Sequence, residues 1–437
     1  MLTSRSWLRA QNVALKTPRE RNRYVDLLRA LSIAIVVLGH WIMAAPVWTN
    51  SAPQLEHLLA VQPWSRWLTW LFQVMPVFFF VGGFSNGVSW DGARVKQQSY
   101  ATWLESRLRR LLGPTIPLIL VWSVLGVVAH ALGLSVTVLQ YGSQISLVPV
   151  WFLAIYFFIV MLVPLTRSLW HRYGFYSVIV PIALAAIGDW VFFTTSLQWL
   201  GWLNFLFLWG AVHQLGYAWQ EQRLQSMSHL IIMLVVALAS LIVLTQFGPY
   251  PTSLVGHPDQ LVSNNTPPKL PLIALGLSQI ALLLLIEKPV RNWLEQPVVW
   301  TSTVLINGLI MPIFLWHSTV MMLLIGVVFW VWPELFSVPI GSAVWWTVKP
   351  LWVLVYFAVL MVVLPAFIKL EKLVSVKPKG KSFVYIVLPA GVLLCCGLAL
   401  LAKGGVVGAG LFGLNWLAIG LPIVGVLLLS GVGRLLR

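Results

Sequence analysis

RYVDLLRALSIAIVVLGHW, residues 23–41, decides the fold. Charge is confined to Arg23, Asp26 and Arg29, and an almost wholly apolar run follows. Such a run, flanked by basic residues on one side, reads as a helix that crosses a membrane. No small-residue cleavage site follows it, so it reads as a permanent span rather than a removed signal. The rest of the chain repeats the pattern. Of 437 residues, 59% are hydrophobic and only 9% charged, against about 25% charged in soluble domains. Lipid must therefore be the solvent for most of the chain. Apolar runs punctuated by Pro, Gly and charge predict about twelve spans: 27–46, 67–90, 111–134, 148–166, 175–194, 199–219, 230–247, 271–286, 302–331, 346–368, 383–402 and 405–430. The expected fold class is all-α, a polytopic integral membrane protein.

An even number of spans puts both ends on one side. With the amino terminus inside, all but four of the 28 Lys and Arg fall on inner segments; the four are Arg66, Lys269, Lys349 and Lys403. This is the positive-inside bias, and it accounts for the net charge of +16 without nucleic acid. Both termini are expected in the cytoplasm and the protein in a bacterial plasma membrane. The outer loop 248–270 is polar and Pro-rich and should be irregular. Span 302–331 is too long for a perpendicular crossing and holds Pro312, which predicts a tilt or a kink. Residues 383–430 read as an appended hairpin, in which Gly404 and Gly408 form a small-xxx-small pair for close packing. The expected divisions are a basic amino-terminal segment 1–26, a ten-span domain 27–370, and a basic loop plus hairpin over 371–437. The two cysteines, Cys395 and Cys396, are adjacent in an apolar run and read as small core residues, not a disulfide framework. No Walker loop, dinucleotide glycine pattern, hydrolase elbow or Cys/His metal spacing is present.

Ionisable groups within spans are costly and mark function by default. His40 is the sharpest candidate. Arg29 precedes it by 11 positions, which at about 100° per residue returns to within about 20° of the same face, with a rise of roughly 16 Å. Asp26 falls within about 40° of that stripe. A guanidinium at the inner mouth and an imidazole near mid-membrane are therefore expected on one face. Neutral imidazole can take a proton from a hydroxyl, as a general base must; it can equally bridge two helices by hydrogen bonds. In ESRLRRLLGP, residues 105–114, Arg107 and Arg110 share a helix face. They suit a phosphorylated cytoplasmic cosubstrate, or a simple topology anchor on lipid head groups. His317, behind Trp316, reads as a polar tunnel wall or as an anchor for a kink at Pro312. Asp189 reads as an acceptor-lining residue near the outer face. Ser85 and Asn86 are candidates for hydrogen bonds to a reacting thioester or to a neighbouring helix, and His213 reads as a packing residue.

Taken in order, these stretches resemble the membrane-bound acyltransferase 3 family. The Arg29-x10-His40 pair resembles its first-span signature. PVFFFVGGFSNG (76–87), the Arg107/Arg110 pair before Pro114, VWFLAIYF (150–157) and INGLIMPIFLWHSTV (306–320) resemble its later motifs. The resemblance covers about residues 20–370 and leaves the hairpin outside. Family members often carry Ser-Gly where Gly82-Gly83 stands. The resemblance implies a ten-helix acyltransferase 3-like core. It also implies O-acyl transfer, usually from acyl-CoA in the cytoplasm, to a hydroxyl of a cell-envelope glycan, glycolipid or related acceptor. Acyl-CoA would be a cosubstrate, with no permanently bound cofactor and no metal. His40 would be the catalytic residue, and Arg29, Arg107 and Arg110 would bind the donor. The competing expectation is a proton-coupled transporter or flippase of a lipid-linked or amphipathic solute, using His40 and His317 as a relay. Its usual mark, inverted repeats, is not visible.

Overall fold

The computed structural model describes residues 4–18, 20–49, 52–257, 260–374 and 382–430. Most of the basic loop before the hairpin and the carboxyl-terminal residues 431–437 lie outside these, as do parts of the basic amino-terminal segment. The described residues are almost entirely helical, with one two-stranded sheet. Seven helices among them are long and apolar enough to cross a membrane, and ten if each of three bent pairs counts as one span. The two remaining expected spans are shorter helices, Asn204–Gln220 of 17 residues and Trp416–Ser430 of 15 residues.

The first span differs from its expected limits. Asn22 caps the helix by accepting from the backbone N–H groups of Tyr24 and Val25, so the helix opens at Arg23. It closes at Met43, where Ala44 turns into extended backbone. His40 consequently stands in the last turn, not halfway along. Strands Ala44–Thr49 and Ala52–His57 then pair antiparallel, with Ala44 opposite His57. Hydropathy alone had assigned 44–46 to the span. The second span is likewise displaced. The 3-10 turn Pro63–Leu68 and the short helix Thr69–Phe72 precede a break at Gln73, whose side-chain Oε1 accepts from Met75 N. The crossing helix is Met75–Val95.

The remaining expectations have mixed outcomes. Helix Tyr100–Leu112 bends by more than 40° into Thr115–Ala131 across Gly113-Pro114. Pro297–Val331 is one helix of 35 residues with Pro312 inside it. The loop before Leu270 is irregular yet packed: Leu254 N donates to Thr69 Oγ1 at 2.9 Å, and Asn264 Nδ2 donates to the carbonyls of Pro251 and Ser253. In the hairpin Val384–Gly404 and Trp416–Ser430, the Gly404/Gly408 pair does not face a helix, because Gly404 ends one and Gly408 lies in the connector. Close approach comes instead at Gly397, where a Cβ would lie 2.3 Å from Pro422 Cδ.

The chain divides into two compact units. One comprises the described parts of Met1–Ser89, Leu165–Ile310 and Phe336–Lys349; the other those of Trp90–Pro164, Met311–Leu335 and Pro350–Arg437. In the first, helices Met75–Val95 and Asn204–Gln220 touch backbone to backbone. A Cβ on Gly83 would lie 1.8 Å from the His213 carbonyl oxygen, and one on Gly216 would lie 2.2 Å from that of Phe80. Stacked rings flank the contact: Phe79 on Trp209 at 4.7 Å and Phe80 on Trp219 at 4.9 Å. In the second unit, the hairpin packs on helices Tyr100–Leu112 and Val148–Met161.

The glycine contact makes a prediction. Gly216→Val should force the two helices apart and cost about 1–3 kcal/mol or more, read as a lower thermal midpoint of the detergent-solubilised protein. Gly210→Ala, on the same helix with nothing within 4 Å of its added Cβ, should leave that midpoint near wild type.

Candidate active site

The unbroken helix Arg23–Met43 keeps Arg29 and His40 on one face. At its start, Asp26 is buried and holds two arginines. Arg21 approaches bidentately at 2.6 and 3.0 Å, and Arg29 lies at 3.8 Å from Oδ1. Asn307 Nδ2 donates to the Asp26 carbonyl, which ties this helix to the long helix Pro297–Val331. Asp26 therefore anchors the basic mouth. Arg29 stays partly exposed.

At the other end of the helix, His40 is half-buried, and its chain neighbour Gly39 lines a small apolar pocket with Met43, Leu59, Thr69 and Phe72. The Ala44 N–H donates to the His40 carbonyl. The Ala44 carbonyl in turn accepts from Lys349 Nζ. Lys349 is buried, lies 4.9 Å from the Trp345 ring centroid, and puts its amine at a helix carboxyl terminus, where a donor meets an otherwise unpaired carbonyl. Across the ladder from Ala44 stands His57. Its Nδ1 accepts from Leu59 N at 3.3 Å, and its ring stacks on His257 at 6.5 Å. Burial first, then the nearby His257 and His40, push the His57 imidazole down to about 4. His57, His257 and Lys349 were not singled out in the sequence. The strand pairing, which no hydropathy pattern announces, brings His57 to the His40 end, and tertiary contacts bring the other two.

The remaining candidates divide between the units. Asn86 is buried and donates from Nδ2 to His213 Nε2 at 3.1 Å, joining the two helices of the glycine contact; Ser85 beside it is half-buried. Asp189 is buried and accepts from Asn204 Nδ2 at 2.9 Å, Tyr250 Oη at 3.0 Å and Leu270 N at 2.8 Å. It caps helix Leu270–Leu285, so its oxygens are engaged by protein donors rather than turned to an acceptor. Lys269, packed 3.6 Å over the Phe192 ring, is pushed down to about 8 by burial, with Asp189 opposing.

In the second unit, Arg107 lies 5.8 Å from the Trp103 ring and is half-buried, and Arg110 is exposed. His317 is wholly buried. Its Nδ1 sits 2.7 Å from the Phe314 carbonyl, so that nitrogen carries the proton, and Nε2 accepts from Ser318 Oγ at 3.1 Å. Both ring nitrogens are thus bonded within the helix turn that follows Pro312. No cluster of metal-ligating side chains exists among the described residues.

The His57 environment predicts a pH effect. Unfolded His takes its proton near 6.5 and this folded one near 4, so between those values the unfolded chain binds more protons and stability rises with pH. The thermal midpoint should fall as pH drops from 7 to 5, and His57→Gln should flatten that fall. An equal slope in the variant would show that other groups cause it.

A family model described as an acyltransferase domain matches residues 22–344. No curated protein and no solved structure matches the chain. The matched segment opens at the asparagine cap of the His40 helix and runs through the long Pro312 helix, covering well over half of the sequence. The chain belongs to the acyltransferase 3 family and is a membrane acyltransferase.

Proposed function

We propose that this enzyme moves an acyl group, in the simplest case acetyl, from cytoplasmic acyl-CoA to a hydroxyl of a cell-envelope glycan, glycolipid or related acceptor. What supports this reading is one observation: Arg29 and His40 occupy one face of a single unbroken helix inside the family-matched segment. His40 acts as general base. Its neutral imidazole takes the acceptor hydroxyl proton while the oxygen attacks the thioester carbonyl. The tetrahedral intermediate collapses, the C–S bond breaks, and the departing CoA thiolate recovers the proton. Arg29, Arg107 and Arg110 bind the CoA phosphates through charge-assisted hydrogen bonds.

The basic residues orient the chain with its amino terminus inside. The helix then enters the membrane at Arg23 and leaves it at Met43, and His40 meets the acceptor towards the outer leaflet. Half-burial leaves the imidazole partly open to an incoming hydroxyl.

Two outcomes follow for purified protein. His40→Ala should retain CoA affinity while transfer falls by roughly 10²–10⁴-fold, the usual worth of a general base; transfer at the wild-type rate would remove His40 from the chemistry. Arg107→Ala and Arg110→Ala should each weaken CoA binding, and unchanged affinity in both would make them topology anchors. Mass spectrometry of envelope glycans and lipids, with and without the enzyme, should differ by one acyl group and so name donor and acceptor together.

A further inference from the structure

Helix Tyr100–Leu112 carries charge on two faces. At about 100° per residue, Arg107 and Arg110 lie about 60° apart, while Glu105 and Arg109 lie about 40° apart on nearly the opposite side. That opposite side does not face open lipid. Glu105 is buried, and Arg109 donates to its Oε1 from Nε at 2.8 Å and from Nη2 at 2.6 Å. On an open helix such an i,i+4 pair would contribute little. Here each partner has a further bond. Arg109 Nη2 also donates to the Leu429 carbonyl, and Ser382 Oγ donates to Glu105 Oε2.

Ser382 stands just before helix Val384–Gly404, and Leu429 lies in the last turn of Trp416–Ser430. One ion pair therefore grips both feet of the carboxyl-terminal hairpin. Above the feet, Gly391 brings the hairpin against helix Val148–Met161 and against Leu108 of the arginine helix. A Cβ there would lie 2.7 Å from Met161 Sδ and 3.7 Å from Leu108 Cδ1. Yet the hairpin falls outside the family-matched residues 22–344. Helix Tyr100–Leu112 needs such a support, because the bend at Gly113-Pro114 frees it from the direction of the next span, and 13 residues make only a marginal helix alone.

We infer that Glu105 and Arg109 are positioning residues, and that the hairpin acts through them as a clamp setting the rotation of the arginine helix. Arg107 and Arg110 are thereby presented to the CoA phosphates. The inference rests on the reading of those two arginines as donor-binding. The clamp itself is a matter of residues 382, 429, 105 and 109.

The test uses the full chain in detergent, with CoA as the probe. Ser382→Ala removes one hydroxyl and Glu105→Gln removes the charge. Both should speed amide hydrogen exchange across residues 100–112. Both should raise the Kd for CoA, by about tenfold in Glu105→Gln, the order expected when a charge-assisted network is broken. Arg109→Lys, which keeps the charge but loses the fork, should fall between wild type and Glu105→Gln. If folded Ser382→Ala and Glu105→Gln both show wild-type exchange and wild-type CoA affinity, the clamp is refuted. Faster exchange with unchanged CoA affinity would also overturn the positioning role, leaving the hairpin as packing alone. Arg107→Ala and Arg110→Ala separate the two readings: if both bind CoA normally, the donor assignment fails, and exchange across 100–112 in Ser382→Ala still decides the clamp.

Discussion

Inside a bilayer, a peptide group that leaves its helix meets no water, so every helix end must find a partner in the protein. Much of the polar chemistry in this chain serves that constraint. Lys349 supplies a donor to the carbonyl of Ala44, and Gln73 an acceptor to the N–H of Met75. Asp189 receives the N–H of Leu270, and Arg109 closes the carbonyl of Leu429. Each of these side chains is expensive to place among apolar neighbours. Each fixes where a span stops, and so which side chain occupies the last turn. His40 stands where it does because its helix is capped by Asn22 at one end and closed by Lys349 at the other.

The span-level fold was legible in the sequence because apolar length is a strong signal that needs no tertiary information. Ten of the twelve expected spans correspond to an apolar helix or a bent pair. The Arg29 and His40 face was legible for a similar reason: helical phase depends only on separation along the chain. Ends were not. Residues 44–46 are apolar and extend the hydropathy of the first span, yet Ala44 opens a strand and pairs with His57, a partner distant along the chain. Pro46 and Pro53 lie in that ladder, so local propensity argued against it as well. Asp189 shows a different gap. An intramembrane carboxylate marks function by default, and only the packed loop with Tyr250 and Leu270 shows it acting as a cap.

Histidines illustrate how one residue type takes different work from its surroundings. His213 accepts from Asn86 across a glycine-lined helix contact. His317 is bonded at both nitrogens within its own turn. His57 and His257 stack on each other. His40 alone of these lies on a face shared with an arginine of its own helix. Burial is no guide to the distinction, for His213 and His317 are the more deeply buried. Partner geometry is the guide, and it appears only once the chain is folded.

The two helices of the hairpin meet at Gly397, where a Cβ would lie 2.3 Å from Pro422 Cδ, and the connector between them closes with a bridge of Val407 to Leu414, both buried. The crossing leaves no room for a side chain, so any residue larger than glycine at 397 pries the two helices apart and with them the support they give to the rest of their unit.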